Sequence, residues 1–521
     1  MASTSSENKS MSEQGSNKRI AKNTLMLYFR MFLMMAIGLF TSRVLLHALG
    51  ASDLGIYNVI GGVVAMFTMF NGTLASASQR FITFALGEGD TKKLKTTFSM
   101  SLTLHIILAA IVFVLIETIG VWFLYNKMVI PEGRMTAAFW LLQFSAFTCA
   151  LDITQVPYDA CVVAHERMGV FAYFSILDAF FKLAITYAVW AFGGDKLILY
   201  GFLLMCVSWL MRIIYRVYSI RHFEEAKYHR CWDKKILKDM SSFFGWNTVG
   251  TVASTLSGQG FNLMLNTFFG TIVNAAMNIT NQVNRYVTQF VGNFQTAVNP
   301  QITKLYASNE IDKMHKLVGN ASLFSAYIML YMSIPIILEI DFILKIWLGY
   351  GIPQYTSQFV QIIMVQNVIT TMSRPLVTEM QAIGKLRIPA LGNGTVLMLI
   401  LPFSYVFLRL GVSPVVAMAI NVIPWIWQLF FENWFVSNQT NISPWIFIRR
   451  VILKVVIIGL ACFTLSYLAG YFMPNRWLNL IAVCLTSTIS LSVIIYNWGM
   501  DKHIRDVIIN KLLEKLHISH K

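Results

Sequence analysis

The sequence predicts an all-α, polytopic membrane protein with about fourteen transmembrane helices. The first observation is composition: of 521 residues, 56% are hydrophobic and only 13% are charged, and the mean hydropathy is +0.59. A soluble protein carries about 25% charged residues and has no core large enough to hide this much apolar surface. A soluble enzyme, a disordered chain and a secreted disulfide scaffold are therefore excluded. The other two observations are the apolar segments and the distribution of basic residues between them.

A helix needs about 20 mainly apolar residues to cross a bilayer. Fourteen segments satisfy this requirement, and the more polar seventh and eighth segments do so least clearly. Their predicted bounds are 24–46, 56–78, 98–123, 137–163, 170–192, 197–219, 243–268, 272–299, 320–344, 357–382, 389–409, 412–436, 446–472 and 477–499.

The basic residues fix the predicted orientation. With an inside start and alternating loops, cytoplasmic segments hold 25 of the 41 Lys and Arg residues, whereas outer loops hold 5. Cytoplasmic loops are enriched in Lys and Arg, so this split supports both the number of spans and a cytoplasmic position for both termini. The net charge of +16 is explained by these loops facing anionic lipid, and no nucleic-acid partner is expected.

The predicted spans divide the chain into six parts. Residues 1–22 are rich in Ser, Asn, Lys and Glu, lack an apolar core and cleavage pattern, and are expected to be a disordered cytoplasmic tail rather than a signal peptide. Two six-helix lobes, 23–220 and 242–437, flank a basic loop at 221–241. Helices 13 and 14 occupy 438–500, and a basic cytoplasmic tail follows at 501–521.

An internal repeat supports the two lobes. A shift of 220 residues aligns 45–93 with 265–313 and gives eleven identities in 49 positions, where composition alone predicts about three. Shared membrane composition explains matches of Leu and Val, but less well those of Gly, Asn and Lys. Both copies start on the cytoplasmic side, so the repeat is parallel, which is a transporter design with the substrate site between the halves.

The eighth predicted span carries a polar stripe. Six polar residues recur every three or four positions and so share one helical face: Asn274, Asn278, Gln282, Arg285, Gln289 and Asn293. Such amides can hold helices together. A stripe along a whole span favours the wall of a hydrated cavity, because polar residues at this depth usually face water or the interior.

Ionisable residues near mid-membrane are the other candidates. Each basic residue there costs about 2.5–3.5 kcal/mol and needs a partner or water. Arg285 and Arg374 are expected to contact a diphosphate, because guanidinium offers paired donors to phosphate. Arg30 and Lys182 are also assigned to the cavity. Asp152 and Asp178 are candidates for coupling Na⁺ or H⁺, although Asp178 can equally pair with Lys182 at i,i+4, and Asp152 with an Arg of the first helix.

No segment matches a P-loop, a zinc-protease helix or another catalytic signature, so no catalytic residue, metal ligand or cofactor is predicted. The six cysteines form no C-x-x-C pair and are expected to be buried apolar residues. The protein is therefore not expected to be an enzyme.

Four segments resemble the multidrug/oligosaccharidyl-lipid/polysaccharide (MOP) exporter superfamily, in its bacterial polysaccharide (O-antigen type) flippase branch. They are SRVLLHALGASDLGIYNVIGG (42–62), ASASQRFITFALGEGD (75–90), VPYDACVVAHERMGVFAYFSIL (156–177) and SRPLVTEMQAIGKLRIPAL (373–391). The likeness is diffuse and covers about 20–500. It implies two lobes that form a V-shaped cavity, two additional carboxyl-terminal helices, and alternating access.

The resemblance also implies a function. An undecaprenyl-diphosphate-linked oligosaccharide would be flipped across the bacterial inner membrane for polysaccharide and lipopolysaccharide synthesis. Membrane lipids, a polysaccharide polymerase and glycosyltransferases are the implied partners. The alternative is a cation-coupled multidrug exporter of the same fold, which would need a cavity dominated by carboxylates and aromatics. A membrane glycosyltransferase would need a large outer loop, and the longest, around 124–136, is too short.

Overall fold

The computed structural model describes residues 22–38, 71–126, 133–349 and 352–500, together with isolated positions between 40 and 64, between 128 and 131, and Arg505. The predicted tails therefore lie outside the described residues, apart from Lys22 and Arg505. The described part is helical and contains no strand. Its helices are α1 (22–38), α2 (Asn71–Glu88), α3 (Thr91–Asn126), α4 (Met135–Ala164), α5 (Met168–Trp190), α6 (Lys196–His222), α7 (Lys234–Ala307), α8 (Ile311–Leu348), α9 (Thr356–Ile383), α10 (Arg387–Arg409), α11 (Pro414–Thr440, interrupted after Ile420), α12 (Pro444–Tyr471) and α13 (Arg476–Gly499).

The helices agree with the predicted spans, and the prediction of an all-α polytopic membrane protein is confirmed. Within the described residues, nine helices are long and apolar enough to cross a membrane: α3–α6, α8 and α10–α13. The more polar α7 and α9 cover the predicted spans at 243–268, 272–299 and 357–382. Helix α2 continues ten residues past the predicted end at 78, because Ile82 and Ala85 of this extension are buried in an apolar cluster.

Helix α7 has an unbroken helical hydrogen-bonding pattern over 74 residues, yet it must reverse direction. Phe243, near its start, makes an edge-to-face contact with Phe81, and the ring of Tyr306, near its end, packs at a tilt against Phe84. The Arg80 guanidinium lies 5.4 Å from the Phe243 ring and 5.2 Å from the Phe84 ring. The two ends of α7 are thus within about 17 Å, whereas a straight helix would separate them by about 95 Å. The long helix therefore comprises two arms, as the seventh and eighth predicted spans require.

The helices recur at a nearly constant offset of 220 residues. Helices α3 and α8 begin at Thr91 and Ile311, and each follows a residue with left-handed backbone two positions earlier, Gly89 (φ 75°) or Asn309 (φ 59°). The same offset relates α4 to α9, α5 to α10, and α6 to α11 within a few residues. The repeat therefore extends beyond 45–93 to the six helices of each half.

Contacts divide the chain into two units. The amino-terminal unit comprises the described residues of Ala21–Thr248 and Thr303–Asn309, and the carboxyl-terminal unit those of Val249–Ile302 and of 310–521. The segment predicted as the basic loop 221–241 contains a 3₁₀ turn at Glu224–Ala226 and the first residues of α7. Helices α12 and α13 belong to the carboxyl-terminal unit.

Each unit has its own apolar core. In the amino-terminal unit, one cluster includes Phe98, Tyr158 and Cys161 from α3 and α4. In the carboxyl-terminal unit, the main cluster joins both arms of α7 to α8 and α9 through residues such as Leu265, Val291 and Phe359. Large apolar side chains also cover the outside of both units, which suits contact with lipid rather than water.

Helix starts are defined by capping side chains. Asp90 accepts hydrogen bonds from the backbone N–H groups of the second and third residues of α3, both at 3.0 Å. Asp195 and Asp233 cap α6 and α7 in the same way. These carboxylates satisfy backbone donors that have no partner within a helix.

Arg134 joins three segments at one end of the amino-terminal unit. Its guanidinium donates to both carboxylate oxygens of Asp53 at 2.9 and 2.5 Å, and to Asp195 at 2.8 Å. Burial alone raises the pKa of Asp195, but the hydrogen bond from Arg134 is among the interactions that lower it further, so the net pKa lies below its ordinary value.

We expect Arg134→Gln to lower the free energy of unfolding by about 1 kcal/mol, because charge-assisted hydrogen bonds in a partly exposed site are lost. The Asp195 carboxylate must be ionised to accept these hydrogen bonds. The difference between the wild type and R134Q should therefore be present at pH 7 and shrink as the pH falls below about 3.9, the ordinary carboxyl pKa. Thermal unfolding of the detergent-solubilised wild type and R134Q at pH 7 and pH 3 measures this difference in stability. An equal difference at the two pH values would contradict the prediction.

Gly87 of α2 lies against the end of α7. A Cβ atom at this position would sit 2.7 Å from the Ala307 Cβ and 3.0 Å from the Lys304 carbonyl oxygen. Gly87→Val should therefore destabilise the protein by about 1–3 kcal/mol, because backbone atoms must move. Gly72→Val is the matched control in the same helix, since a Cβ there meets no atom within 4 Å. Thermal unfolding should show a clear loss for G87V and not for G72V.

Candidate functional site

The second arm of α7 presents a row of exposed polar side chains. Asn278, Gln282, Arg285 and Gln289 are all exposed, and their spacing of three or four residues puts them on one face. The Asn274 side chain lies outside the described residues. Among the described residues, no hydrogen bond or ion pair engages the Arg285 guanidinium. Such a row is incompatible with acyl chains, so it requires water or a polar ligand.

Other polar side chains of the same arm, outside the predicted stripe, hold helices together. They pair with residues of α8 and α9: Asn284 with Asn367 at 2.8 Å, Gln295 with Ser325 at 3.1 Å, and Asn299 with Thr378 at 3.1 Å. These paired amides lie on the buried side of the arm. The arm therefore has a packed polar face and an exposed polar face.

The two remaining predicted residues of this unit are Asn293, further along α7, and Arg374, on α9. Asn293 is half-buried, and its Nδ2 is buried without a hydrogen-bond partner among the described residues. Arg374 is exposed on α9, two turns beyond Asn367. The contacts of Asn284 with Asn367 and of Asn299 with Thr378 show that residue numbers increase in the same direction along α7 and α9. Arg285 is next to Asn284, whereas Arg374 lies two turns after Asn367. Arg374 therefore lies about 10 Å further along the helices than Arg285. Both guanidinium groups thus belong to the carboxyl-terminal unit.

The remaining predicted residues lie together in the amino-terminal unit. Lys182 donates to Asp178 at 2.7 Å, so these two form the i,i+4 ion pair. Asp152, exposed on α4, is close enough to both of them to interact electrostatically. The Arg30 guanidinium lies 4.7 Å from the centroid of the Phe171 ring, a cation–π geometry.

Two further residues of this cluster are missed by sequence reasoning. Asp159 accepts a hydrogen bond from Gln155 at 3.2 Å and interacts electrostatically with Asp152, two turns earlier in α4. Tyr215 of α6 is close to Asp159 and to Arg30. The spacing of seven residues between the two aspartates is the signal that identifies the shared helix face. The cluster therefore contains three carboxylates and two cations.

Two buried glutamates in the carboxyl-terminal unit are also missed as site candidates. Glu432 of α11 is fully buried and accepts hydrogen bonds from Ser373, from Asn393 at 2.9 Å and from Gln428 at 2.7 Å. Glu379 of α9 is also fully buried, with the His315 Nδ1 3.1 Å from its Oε1. Three neighbouring side chains therefore satisfy Glu432, whereas both carboxylate oxygens of Glu379 are buried without a hydrogen bond among the described residues.

A cavity of about 490 Å³ lies elsewhere in the carboxyl-terminal unit. It is lined by residues of α8, α9, α12 and α13, including Glu339, Asp341, Gln361 and Arg476. Helix α8 is kinked at Glu339 (φ −117°), four residues after Pro335, and Gln361 donates to the Ile337 carbonyl at 3.0 Å. The cavity contains none of the predicted site residues.

No protein-family profile matches the sequence, and comparison with curated proteins finds no significant relative. Solved structures are similar in fold. A MATE structure in the bent conformation has a TM-score of 0.69 at 13% identity, covering 82% of this chain and 96% of that one. A MOP superfamily transporter from Pyrococcus furiosus, described as having a binding pocket of reverse polarity and a different function, has a TM-score of 0.68 at 14% identity, with 82% and 96% covered.

A multidrug resistance MATE family transporter of the MOP superfamily, in an outward-facing conformation, is similar as well. Its TM-score is 0.67 at 13% identity, covering 81% of this chain and 96% of that one. The similar structures are membrane transporters rather than enzymes, and at this identity the likeness concerns the fold. The chain accordingly has the MATE-like fold of MOP superfamily transporters and is a multi-pass membrane protein of that architecture.

Proposed function

We propose that the protein flips an undecaprenyl-diphosphate-linked oligosaccharide across the bacterial inner membrane by alternating access. The observation that carries this proposal is the exposed Arg285 guanidinium in a row of exposed amides within the eighth predicted span. Transport of this kind supplies polysaccharide or O-antigen type lipopolysaccharide synthesis. A polymerase and glycosyltransferases are then the enzymes acting before and after it.

The chemistry of the row fits the two polar parts of such a lipid. Asn278, Gln282 and Gln289 each offer both donors and an acceptor, which matches sugar hydroxyl groups. Arg285 and Arg374 offer paired donors to phosphate oxygens. The prenyl chain needs no polar site and remains in the hydrocarbon of the bilayer. The predicted position of both termini in the cytoplasm places the basic loops on the side where the substrate is made.

The amino-terminal cluster is our candidate for ion coupling. Asp152 and Asp178, with Asp159 added by the structure, supply carboxylate oxygens beside Lys182. Binding of Na⁺ or H⁺ at a carboxylate changes the local charge and can bias one conformation over another. No other cofactor is needed for this mechanism.

Multidrug export is the second candidate, because a similar fold belongs to a multidrug resistance MATE family transporter. Organic cations require carboxylates and aromatic faces at the site that holds them. The exposed row on α7 instead consists of amides and one cation, with a single exposed aromatic ring, that of Tyr286, beside it. Proteoliposomes tested with an organic cation and with a fluorescent polyprenyl-diphosphate oligosaccharide separate the two functions, and transport of the cation alone would contradict our proposal.

Arg285→Gln should reduce the initial rate of flipping of that oligosaccharide lipid at least tenfold, because a charged hydrogen bond to phosphate is worth about 1.5–3 kcal/mol. Arg285→Lys should retain part of the rate, since it keeps the charge but loses the paired donors. Arg409→Gln is the matched control: it removes an exposed cation at the end of α10 that interacts with Tyr405. Equal rates for R285Q and R409Q would disprove the role of Arg285.

Asp152→Asn should abolish the response of the flipping rate to an imposed Na⁺ or H⁺ gradient, because the titratable or ion-binding carboxylate is removed. Binding of the lipid substrate should persist. Asp312→Asn, which neutralises an exposed carboxylate at the start of α8, serves as the control. If D152N still responds to both gradients as the wild type does, Asp152 is not a coupling residue.

A further inference from the structure

A sulfur, a nitrogen and an oxygen donor meet at one end of the amino-terminal unit. Cys161 lies in the last turn of α4, and His165 follows one turn later at the position that ends the helix. The spacing of four residues puts both side chains on the same face. Glu225 comes from the 3₁₀ turn that follows α6, 60 residues further along the chain. The group is separate from the residues to which we assign transport.

The distances are those of a metal-binding group. The Glu225 Oε1 lies 2.5 Å from the His165 Nε2 and 3.4 Å from the Cys161 Sγ, and all three donor atoms lie within 4.8 Å of one another. Donor atoms around a tetrahedral zinc ion are separated by about 3.3–3.8 Å. To reach this range the His165 and Glu225 donor atoms must separate by about 1 Å. Within the part of the chain that the structure describes, this is the one set of three His, Cys, Asp or Glu residues arranged in this way.

The surroundings hold the donors in place and leave a route for an ion. Cys161 is fully buried, and only 4% of Glu225 is exposed. The His165 ring stacks on Phe223, with 4.2 Å between the ring centroids. About a quarter of the His165 side chain remains exposed, which provides access from the surface. Burial raises the pKa of Glu225, but the hydrogen bonds from His165, a backbone N–H and Cys161, with the charge of His165, together lower it further, so the net pKa lies below its ordinary value.

The donor set selects the metal. Thiolate and imidazole ligands favour Zn²⁺ over Mg²⁺ and Ca²⁺, which prefer oxygen alone. Three protein ligands leave a fourth tetrahedral position for water. We propose that Cys161, His165 and Glu225 bind a zinc ion that fastens the segment after α6 to the end of α4. Binding forms a zinc–sulfur bond and a bond from zinc to the His165 Nε2. It breaks the S–H bond of Cys161, whose proton passes to solvent, and the imidazole is left neutral with its proton on Nδ1.

The proposed zinc ion lies where it affects the attachment of the segment between α6 and α7. The segment from Phe223 to Asp233 leads from α6 into α7, and its other polar contacts are with α3: Glu224 accepts from Lys95 at 2.9 Å, and His229 pairs with Ser99 at 3.0 Å. A zinc ion adds a contact to α4 that is stronger than the hydrogen bonds it replaces. The segment is then held from two sides.

Cobalt substitution tests the site in the full-length, tag-free protein purified in detergent and stripped with a chelator. Co²⁺ should give the near-ultraviolet band of a sulfur–cobalt bond at one equivalent per chain, and one equivalent of Zn²⁺ should remove it. Cys149→Ser, which changes a buried thiol three turns earlier in α4, should keep the band. Cys161→Ser should lose it, and Glu225→Gln should weaken Zn²⁺ binding at least tenfold.

A band that persists in C161S, or no band in the wild type, would overturn the proposal and leave an ordinary hydrogen-bonded group of three side chains. Because C161S can fail through misfolding, X-ray absorption of the zinc-loaded wild type gives an independent result. It should show one sulfur at about 2.3 Å and nitrogen or oxygen at about 2.0–2.2 Å. A zinc environment without sulfur contradicts the proposal, whatever the variants do. Neither measurement depends on transport, so the proposed function is tested separately.

Discussion

A charge held at bilayer depth must meet an opposite charge, an aromatic face or water, and this requirement organises the polar residues of the protein. Lys182 meets Asp178 at 2.7 Å. Arg30 meets the face of a phenylalanine ring. Arg285 meets none of these among the described residues, and it lies on an exposed face. The same rule that explains the paired charges therefore identifies the face that needs water.

The two units meet this requirement with different chemistry. The amino-terminal unit gathers three carboxylates around a lysine and an arginine, which suits an exchange of small cations. The carboxyl-terminal unit carries two exposed guanidinium groups and a row of amides, which suits a phosphorylated sugar lipid. Glu432 belongs to the same unit but is satisfied by three neighbouring donors, so it stabilises α11 against its neighbours. This unequal chemistry is the basis of our proposal that the driving ion and the transported lipid have separate sites.

Local patterns made the fold predictable. Long apolar runs and basic loops predicted the helices, and the internal repeat predicted that they recur in the same order in each half. The 3.6-residue period predicted that Gln282 and Arg285 share a face, and both side chains are exposed. It did not predict that Asn284 and Asn299 pair with other helices, because the packed side of a helix depends on α8 and α9, which are distant in sequence. The same limit applies to Cys161 and Glu225. Their spacing along the chain is large, and only the fold brings them together.

The offset of 220 residues has a consequence for how the molecule diverged. Two identical subunits of a homodimer must change together, since one gene encodes both. When the copies are fused in one gene, each position can mutate without its counterpart. Asp159 and Glu379, related by this offset, have both kept a carboxylate, whereas Arg212 and Glu432 have taken opposite charges. Fusion thus allows a duplicated scaffold to present unlike surfaces to a molecule that has no symmetry of its own.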